Sequence, residues 1–148
     1  MITAHADVVG SLLRPAELLR AREELAAGRI TAAAFKEIED RAVDWAVRLQ
    51  EDSGVEVVTD GEMRRLSFQS QMTEAVEGFG SWDIDAFLWG EWHGVEGAED
   101  WRRERPTDIG VVGKLVRKRY LSAGEFVYLR ALTRCVPKIT LPSPGLFV

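Results

Sequence analysis

Apolar positions along the chain fall into short Val-rich runs separated by longer stretches with three- and four-residue spacing. The sharpest run is Gly54-Val55-Glu56-Val57-Val58-Thr59-Asp60-Gly61-Glu62-Met63-Arg64-Arg65, an apolar strand that stops in a knot of charges around a glycine. Buried strands of parallel sheets read this way, and ligands of α/β proteins bind outside the carboxyl ends of such strands. Asp60, Glu62, Arg64 and Arg65 are therefore the first candidates for function.

The flanking pattern supports a parallel sheet. Ala6 to Ser11 predicts a first strand that breaks at Gly10, and Pro15 stands where a helix begins, a position that tolerates proline. Gly28 closes that helix. Thr31 is the expected N-cap of a second, longer one, whose apolar face is Phe35, Ile38, Ala42, Trp45, Ala46 and Leu49, with Gly54 at its end. A strand, a helical excursion and a second strand over Val55 to Val58 form a βαβ pattern.

Beyond Arg65 the pattern loosens. Ser67 to Val76 reads as helical, after which Gly78, Gly80, Gly90, Gly94 and Gly97 punctuate a stretch holding Trp82, Trp89, Trp92 and Trp101. Such clustering forms either a lid over a ligand or a satellite core beneath a long loop, and the satellite core is favoured because it is the commoner arrangement. Asp108 to Val112 and Val116 to Tyr120 are expected to pair as a hairpin. Ser122 followed by Glu125 carries a capping-box signature for a helix with Phe126, Leu129 and Ala131, ending near Cys135 or Pro137. Lys138-Ile139-Thr140-Leu141 then reads as a third strand, running into the loop Pro142-Ser143-Pro144-Gly145.

Composition changes the picture little. With 46% hydrophobic and 29% charged residues the chain can build a real core. A net charge of -5 gives no general attraction to nucleic acid or anionic membrane, and the basic stretch Lys114 to Arg119 reads as a solvated face. The single Cys135 excludes an intrachain disulfide; no signal-like segment and no run of about 18 apolar residues is seen, so the expected location is cytoplasmic. A closed eight-stranded α/β barrel typically takes about 250 residues. The 148 residues here therefore suggest either a small open sheet or the front of something larger.

Three motifs, Val9-Gly10-Ser11-Leu12-Leu13-Arg14-Pro15, Val57-Val58-Thr59-Asp60-Gly61-Glu62-Met63-Arg64-Arg65 and Lys138-Ile139-Thr140-Leu141-Pro142-Ser143-Pro144, stand in the order and rough spacing of the cobalamin-independent methionine synthase family. The chain resembles its shorter, single-barrel members over nearly its whole length. The resemblance implies an α/β fold in which residues 1–148 are one partial domain. That domain is the N-terminal part, about three βα units, of a TIM-type (βα)8 barrel, with an irregular Trp/Gly-rich insertion at 77–121 after the second strand. It implies methyl transfer from a folate donor to a thiol such as homocysteine. It also implies that the backbone at Gly10 and Ser11 approaches the amino acid substrate, where glycine permits close contact, and that Glu62 meets the substrate's ammonium. Asp60 and Arg65 join this set, with the role of orienting Glu62. On the residues alone, Glu62 serves equally well by pairing with Arg64 or Arg65 or by capping a helix; the resemblance favours the substrate role.

The family forms its thiolate on zinc held by a His, two Cys and a Glu from later strands. This chain offers His5, His93 and Cys135 without ligand spacing, and Val8 stands where some relatives have a histidine, so no metal ligand is assigned. Zinc is thus expected of the full-length family enzyme, with its ligands outside this chain. Two alternatives stand beside the methyltransferase: a same-barrel enzyme of other alkyl-transfer or carbon–sulfur chemistry, and a non-catalytic partial barrel completed by a partner chain. A homo-oligomer or complementing chain covers the exposed sheet edge in that last case.

Overall fold

The computed structural model describes residues 6–68, 70–82 and 108–143, and these form two compact units. The first takes in the described residues up to Met72 together with Tyr120 to Pro142. It is mixed α/β. Helix α1 (Ala16–Ala26) follows Pro15, whose extended ψ sets the chain up to enter the helix, and ends where Gly28 takes φ 68 and donates its N–H to the Leu25 carbonyl. Helix α2 (Ala32–Asp52) opens on Thr31, whose Oγ1 accepts from the Ala34 N–H at 3.1 Å, and is followed by Gly54 at φ 75. The expected caps and breakers of both helices are thus in place.

The buried stripe of α2 is rotated from the expected one. Ala42, Val43, Ala46 and Val47 are buried, whereas Trp45 and Leu49 are 45% and 43% exposed. Two buried polar residues, Glu39 and Gln50, lie at its two ends. The small side chains let α2 lie close against its neighbours: Ala42, Val43, Ala46 and Val47 join Leu18 of α1, Val58, Met63 and Leu129 in one core.

Strand β1 (Val57–Val58) pairs in parallel with β4 (Val136–Pro137), and Asp7 makes a parallel bridge to Val57 on the other side. The N–H groups of Val136 and Lys138 donate to the carbonyls of Glu56 and Val58. The βαβ reading therefore holds, with two boundary corrections. The first predicted strand contributes a single bridge, because Gly10 turns at φ 82 and Leu12 is drawn to the Gly61 carbonyl. The third lies wholly before the expected one: β4 is Val136–Pro137, and Lys138 to Leu141 form no strand. Helix α4 (Ala123–Leu132) stops at Thr133, which is already extended, and the residue before Pro137 is itself biased to extended geometry.

The expected capping box at Ser122 does not form; Ser122 makes no side-chain cap bond, because its hydroxyl and the Glu125 carboxylate are both engaged elsewhere. Helix α3 (Ser70–Ala75) falls within the predicted helical stretch.

The second unit holds β2 (Val76–Trp82) and β3 (Asp108–Arg117), an antiparallel ribbon. The expected hairpin is corrected: both of its arms up to Arg117 belong to one strand that pairs with β2. The register shifts at Gly78, where φ is 98 and an added Cβ would lie 2.6 Å from the Lys114 carbonyl oxygen. Of the basic stretch, Lys118 and Arg119 pair with Glu77 and Glu74 at the surface. Trp89, Trp92, Trp101, His5 and His93 lie outside the described residues, as does most of the predicted satellite core.

Gln50 joins α2 to the end of β1. Its Nε2 donates to the Ala46 and Thr59 carbonyls, both at 2.8 Å, and its Oε1 accepts from the Thr59 N–H at 2.9 Å. Replacing Gln50 with Leu strands two buried backbone groups of Thr59, so a loss of about 2–4 kcal/mol is expected in urea unfolding. A loss under about 0.5 kcal/mol would mean that Thr59 finds other partners.

Candidate functional site

The charged turn after β1 is buried. Asp60, Gly61, Glu62, Met63 and Arg65 are all inaccessible, an unusual state for three ionisable side chains so close together. Each is held by named partners. Asp60 Oδ1 accepts from the Glu62 N–H at 3.0 Å, and Thr59 Oγ1 accepts from the Gly61 N–H at 3.1 Å, two local bonds that tighten the turn. Gly61 has φ 67, and a Cβ there would meet Met63 Cε at 3.1 Å and Ala46 Cβ at 3.2 Å. Glu62 follows at φ 55, the one non-glycine residue with positive φ among the described residues.

That conformation carries strain, and the surroundings hold it in place. The Glu62 carbonyl accepts from the Arg65 N–H at 3.1 Å and from Arg14 Nη2 at 3.3 Å. Arg22 donates to the carbonyls of Arg65 and Met63 at 2.8 and 2.5 Å. The Leu12 N–H donates to the Gly61 carbonyl at 3.1 Å. Two arginines from the α1 side and one backbone amide of the first loop thus clamp the turn.

The Glu62 carboxylate is also fixed. Thr140 Oγ1 lies 2.6 Å from Oε1, and Arg65 Nη1 lies 3.5 Å from the same oxygen. Arg65 in turn donates to Glu125 Oε2 at 2.8 and 3.1 Å, to the Thr140 hydroxyl at 3.0 Å and carbonyl at 2.9 Å, and to Ser122 Oγ at 3.4 Å. Ser122 donates to Gln71 Oε1, and Gln71 Nε2 donates to the Thr140 carbonyl at 3.3 Å. One buried guanidinium therefore joins the turn, the start of α4 and the chain beyond β4.

Arg64 faces other partners. It reaches Glu39 at 3.1 Å and Asp40 at 2.5 Å on α2 and lies 4.5 Å from the Tyr128 ring centroid. Burial pushes the Glu39 carboxyl up, with Arg64 opposing it. Of the two ion-pair alternatives for Glu62, the geometry selects Arg65 and excludes Arg64.

All three sequence motifs converge here. The first supplies Leu12 and Arg14, the second the turn itself, the third Thr140 together with Lys138, whose Nζ reaches Asp7 and the Val8 carbonyl at 2.5 Å. Asp60, Glu62 and Arg65 are brought together; Gly10 is half-buried and Ser11 exposed, in the loop that leads to Leu12. Arg14, Arg22, Gln71, Ser122, Glu125 and Thr140 were not picked out from the sequence as site residues. Arg14 and Thr140 stood inside quoted motifs, while Ser122 and Glu125 carried a signal that read as a helix cap. Among the described residues no three His, Cys, Asp or Glu side chains come together to hold a metal, and Cys135 is the chain's sole cysteine. That donor set does not fit zinc.

No protein-family model matches the chain. It is 33% identical over 143 residues to the Bacillus subtilis protein YxjH, itself described as uncharacterized, a stretch covering 96% of this chain and 36% of that protein. It is 30% identical over 136 residues to the 5-methyltetrahydropteroyltriglutamate–homocysteine methyltransferase of Thermosynechococcus vestitus, covering 92% of this chain and 16% of the relative. Among solved structures, a Listeria monocytogenes protein described as a candidate vitamin-B12 independent methionine synthase superposes with a TM-score of 0.65 at 25% identity, over 97% of this chain and 39% of that one. The chain is similar to cobalamin-independent methionine synthases. It spans 36% of the first of these curated relatives and 16% of the second, about a third of the length at most. No described helix is long and apolar enough to cross a membrane.

Asp60 offers a titration test. Its carboxyl is raised above the ordinary 3.8 by burial, which outweighs the Glu62 N–H bond and the nearby Arg65 and Arg64 charges. Folding thus keeps its proton at pH values where the unfolded chain has lost it. Its contribution to stability is most favourable below 3.8 and declines as pH rises through the raised folded-state value. Asp60→Asn is expected to gain stability relative to the parent as pH rises through that range and to level off above it. Urea midpoints along an acid series read this; a difference that stays constant with pH would mean that Asp60 titrates normally.

Proposed function

We propose that this chain supplies the amino-acid-binding part of a methyltransferase of the methionine-synthase type, which transfers a methyl group to a thiol such as homocysteine. The observation that carries the reading is Glu62: a buried carboxylate on a left-handed backbone, clamped from four sides, at the carboxyl end of a parallel strand. Strained, over-determined residues cluster at binding and catalytic sites. A buried carboxylate with its backbone fixed is a suitable acceptor for a ligand ammonium, since a charge-assisted bond offsets part of the desolvation cost. One guanidinium, Arg65, is shared by Glu62 and Glu125, which leaves negative charge for a ligand cation to meet.

In this reading Glu62 binds the ammonium, the backbone at Gly10 and Ser11 lies along the substrate, and Asp60 and Arg65 orient Glu62. Glu62 exchanges no proton in the reaction. It holds the amino acid so that its thiol sulfur meets the donor methyl group in line, and positioning supplies the rate. The donor is a folate, by similarity to the Thermosynechococcus enzyme's name. The chain corresponds to the N-terminal part, about three βα units, of a (βα)8 barrel in the cytoplasm, with 77–121 as an insertion. Zinc ligands are contributed from outside these 148 residues, and further strands or a complementing chain cover the sheet edge.

Glu62→Gln tests the site, because glutamine keeps the shape and the bond from Thr140 while removing the charge. In the full-length protein, calorimetric affinity for L-homocysteine is expected to fall about 10- to 100-fold with little change in melting temperature. Unchanged affinity would remove Glu62 from the binding site.

A further inference from the structure

We infer that Thr140 is a positioning residue: its hydroxyl holds Glu62 Oε1 and thereby aims the carboxylate at an α-ammonium group. This rests on the reading of Glu62 as the ammonium acceptor and adds to it the residue that sets discrimination for the amino group.

A threonine hydroxyl has one proton and two lone pairs. Arg65 Nη1 donates to Thr140 Oγ1 at 3.0 Å, and an arginine N–H can only donate, so that bond takes up a lone pair of the hydroxyl. The hydroxyl proton is left for Glu62 Oε1, 2.6 Å away, within the range of an O–H···O hydrogen bond. The Thr140 carbonyl is fixed independently by Arg65 Nη2 at 2.9 Å and Gln71 Nε2 at 3.3 Å, so the backbone carrying the hydroxyl cannot swing away without breaking both bonds.

Every Glu62 carboxylate contact found among the described residues goes to Oε1. The other oxygen, Oε2, is the one left to meet a ligand. Arg65 alone could not fix the rotamer, because at 3.5 Å from Oε1 its contact with Glu62 is an ion pair rather than an aligned hydrogen bond. Without the hydroxyl, Glu62 rotates toward the guanidinium and neutralises it, and the ligand ammonium loses its acceptor.

The test compares L-homocysteine with 4-sulfanylbutanoic acid, the same molecule without its amino group, in calorimetric titrations of the full-length protein. Thr140→Val, which keeps the shape and removes the hydroxyl, is expected to weaken L-homocysteine binding about tenfold and to leave the des-amino probe within about twofold; Thr140→Ser restores the parent values within about threefold. Equal losses for both probes would mean a merely structural role and overturn the inference. If Glu62→Gln loses the preference for the amino acid and Thr140→Val keeps it, Thr140 is overturned alone. If neither variant changes the preference, the reading of Glu62 fails and takes this one with it. Should Thr140→Val not fold, proton NMR of the parent decides. A slowly exchanging Thr140 hydroxyl resonance that moves upfield in Glu62→Gln is expected, and its absence from the parent overturns the inference.

Discussion

A buried guanidinium governs this structure. Arg65 is 2% exposed, and a charge so removed from water persists only where its donors are met. Glu62, Glu125, Ser122 and both oxygens of Thr140 meet them, and these partners come from the turn after β1, from the start of α4 and from the segment after β4. The local pairing of β1 with β4 is two residues long and fixes little by itself. The polar hub is what aligns the strand ends, with the core of Leu18, Val43, Ala46, Val47, Val58, Met63 and Leu129 beneath it. Removing any one partner leaves a desolvated charge short of a bond, so the hub tolerates loss less well than a surface ion pair such as Arg41 with Glu17.

The local signals in the sequence were legible where backbone chemistry decides them. Thr31, Gly28 and Gly54 act through caps and positive φ, which depend on a few neighbouring residues, and they stand where the spacing put them. The strand-then-charges pattern around Val58 located the turn for the same reason, but not its burial, which distant partners bring about. What the sequence hid was decided by distant residues. The face of α2 turned because Val43 and Val47 share one core with Leu18 of α1 and Leu129 of α4, residues no window on α2 can contain. Ser122 and Glu125 have the spacing of a capping box, yet Arg65 and Gln71, more than fifty residues away in sequence, engage both side chains. The hairpin failed because its second arm extends a strand whose partner, β2, precedes it by a long segment.

The similarity to cobalamin-independent methionine synthases and the geometry bear on different questions. Similarity extends over 92% to 97% of the chain and agrees with the resemblance of the three motifs. It says nothing of which side chains touch one another. The geometry shows that the motifs meet: Arg14 of the first and Thr140 of the third both contact Glu62 of the second, one at its backbone and one at its carboxylate. Three separated segments converging on one residue make that residue the natural centre of any site the unit carries.

Two consecutive residues of the turn adopt left-handed backbone, and the chain treats them differently. At Gly61, with φ 67, a Cβ would also lie 3.1 Å from Met63 Cε and 3.2 Å from Ala46 Cβ, so packing there is tight as well. At Glu62, with φ 55, glycine would relieve about 1 kcal/mol or more of strain. A glycine there would keep the carbonyl that Arg14 and Arg65 bind, and with it the clamp on the backbone. It would remove only the carboxylate. The strain is thus the cost of presenting that carboxylate at this point, where it meets part of the buried Arg65 charge and has one oxygen held by Thr140. A role in binding would draw on the same fixing, because an acceptor fixed before the ligand arrives loses less conformational entropy on association than one that must be ordered by it.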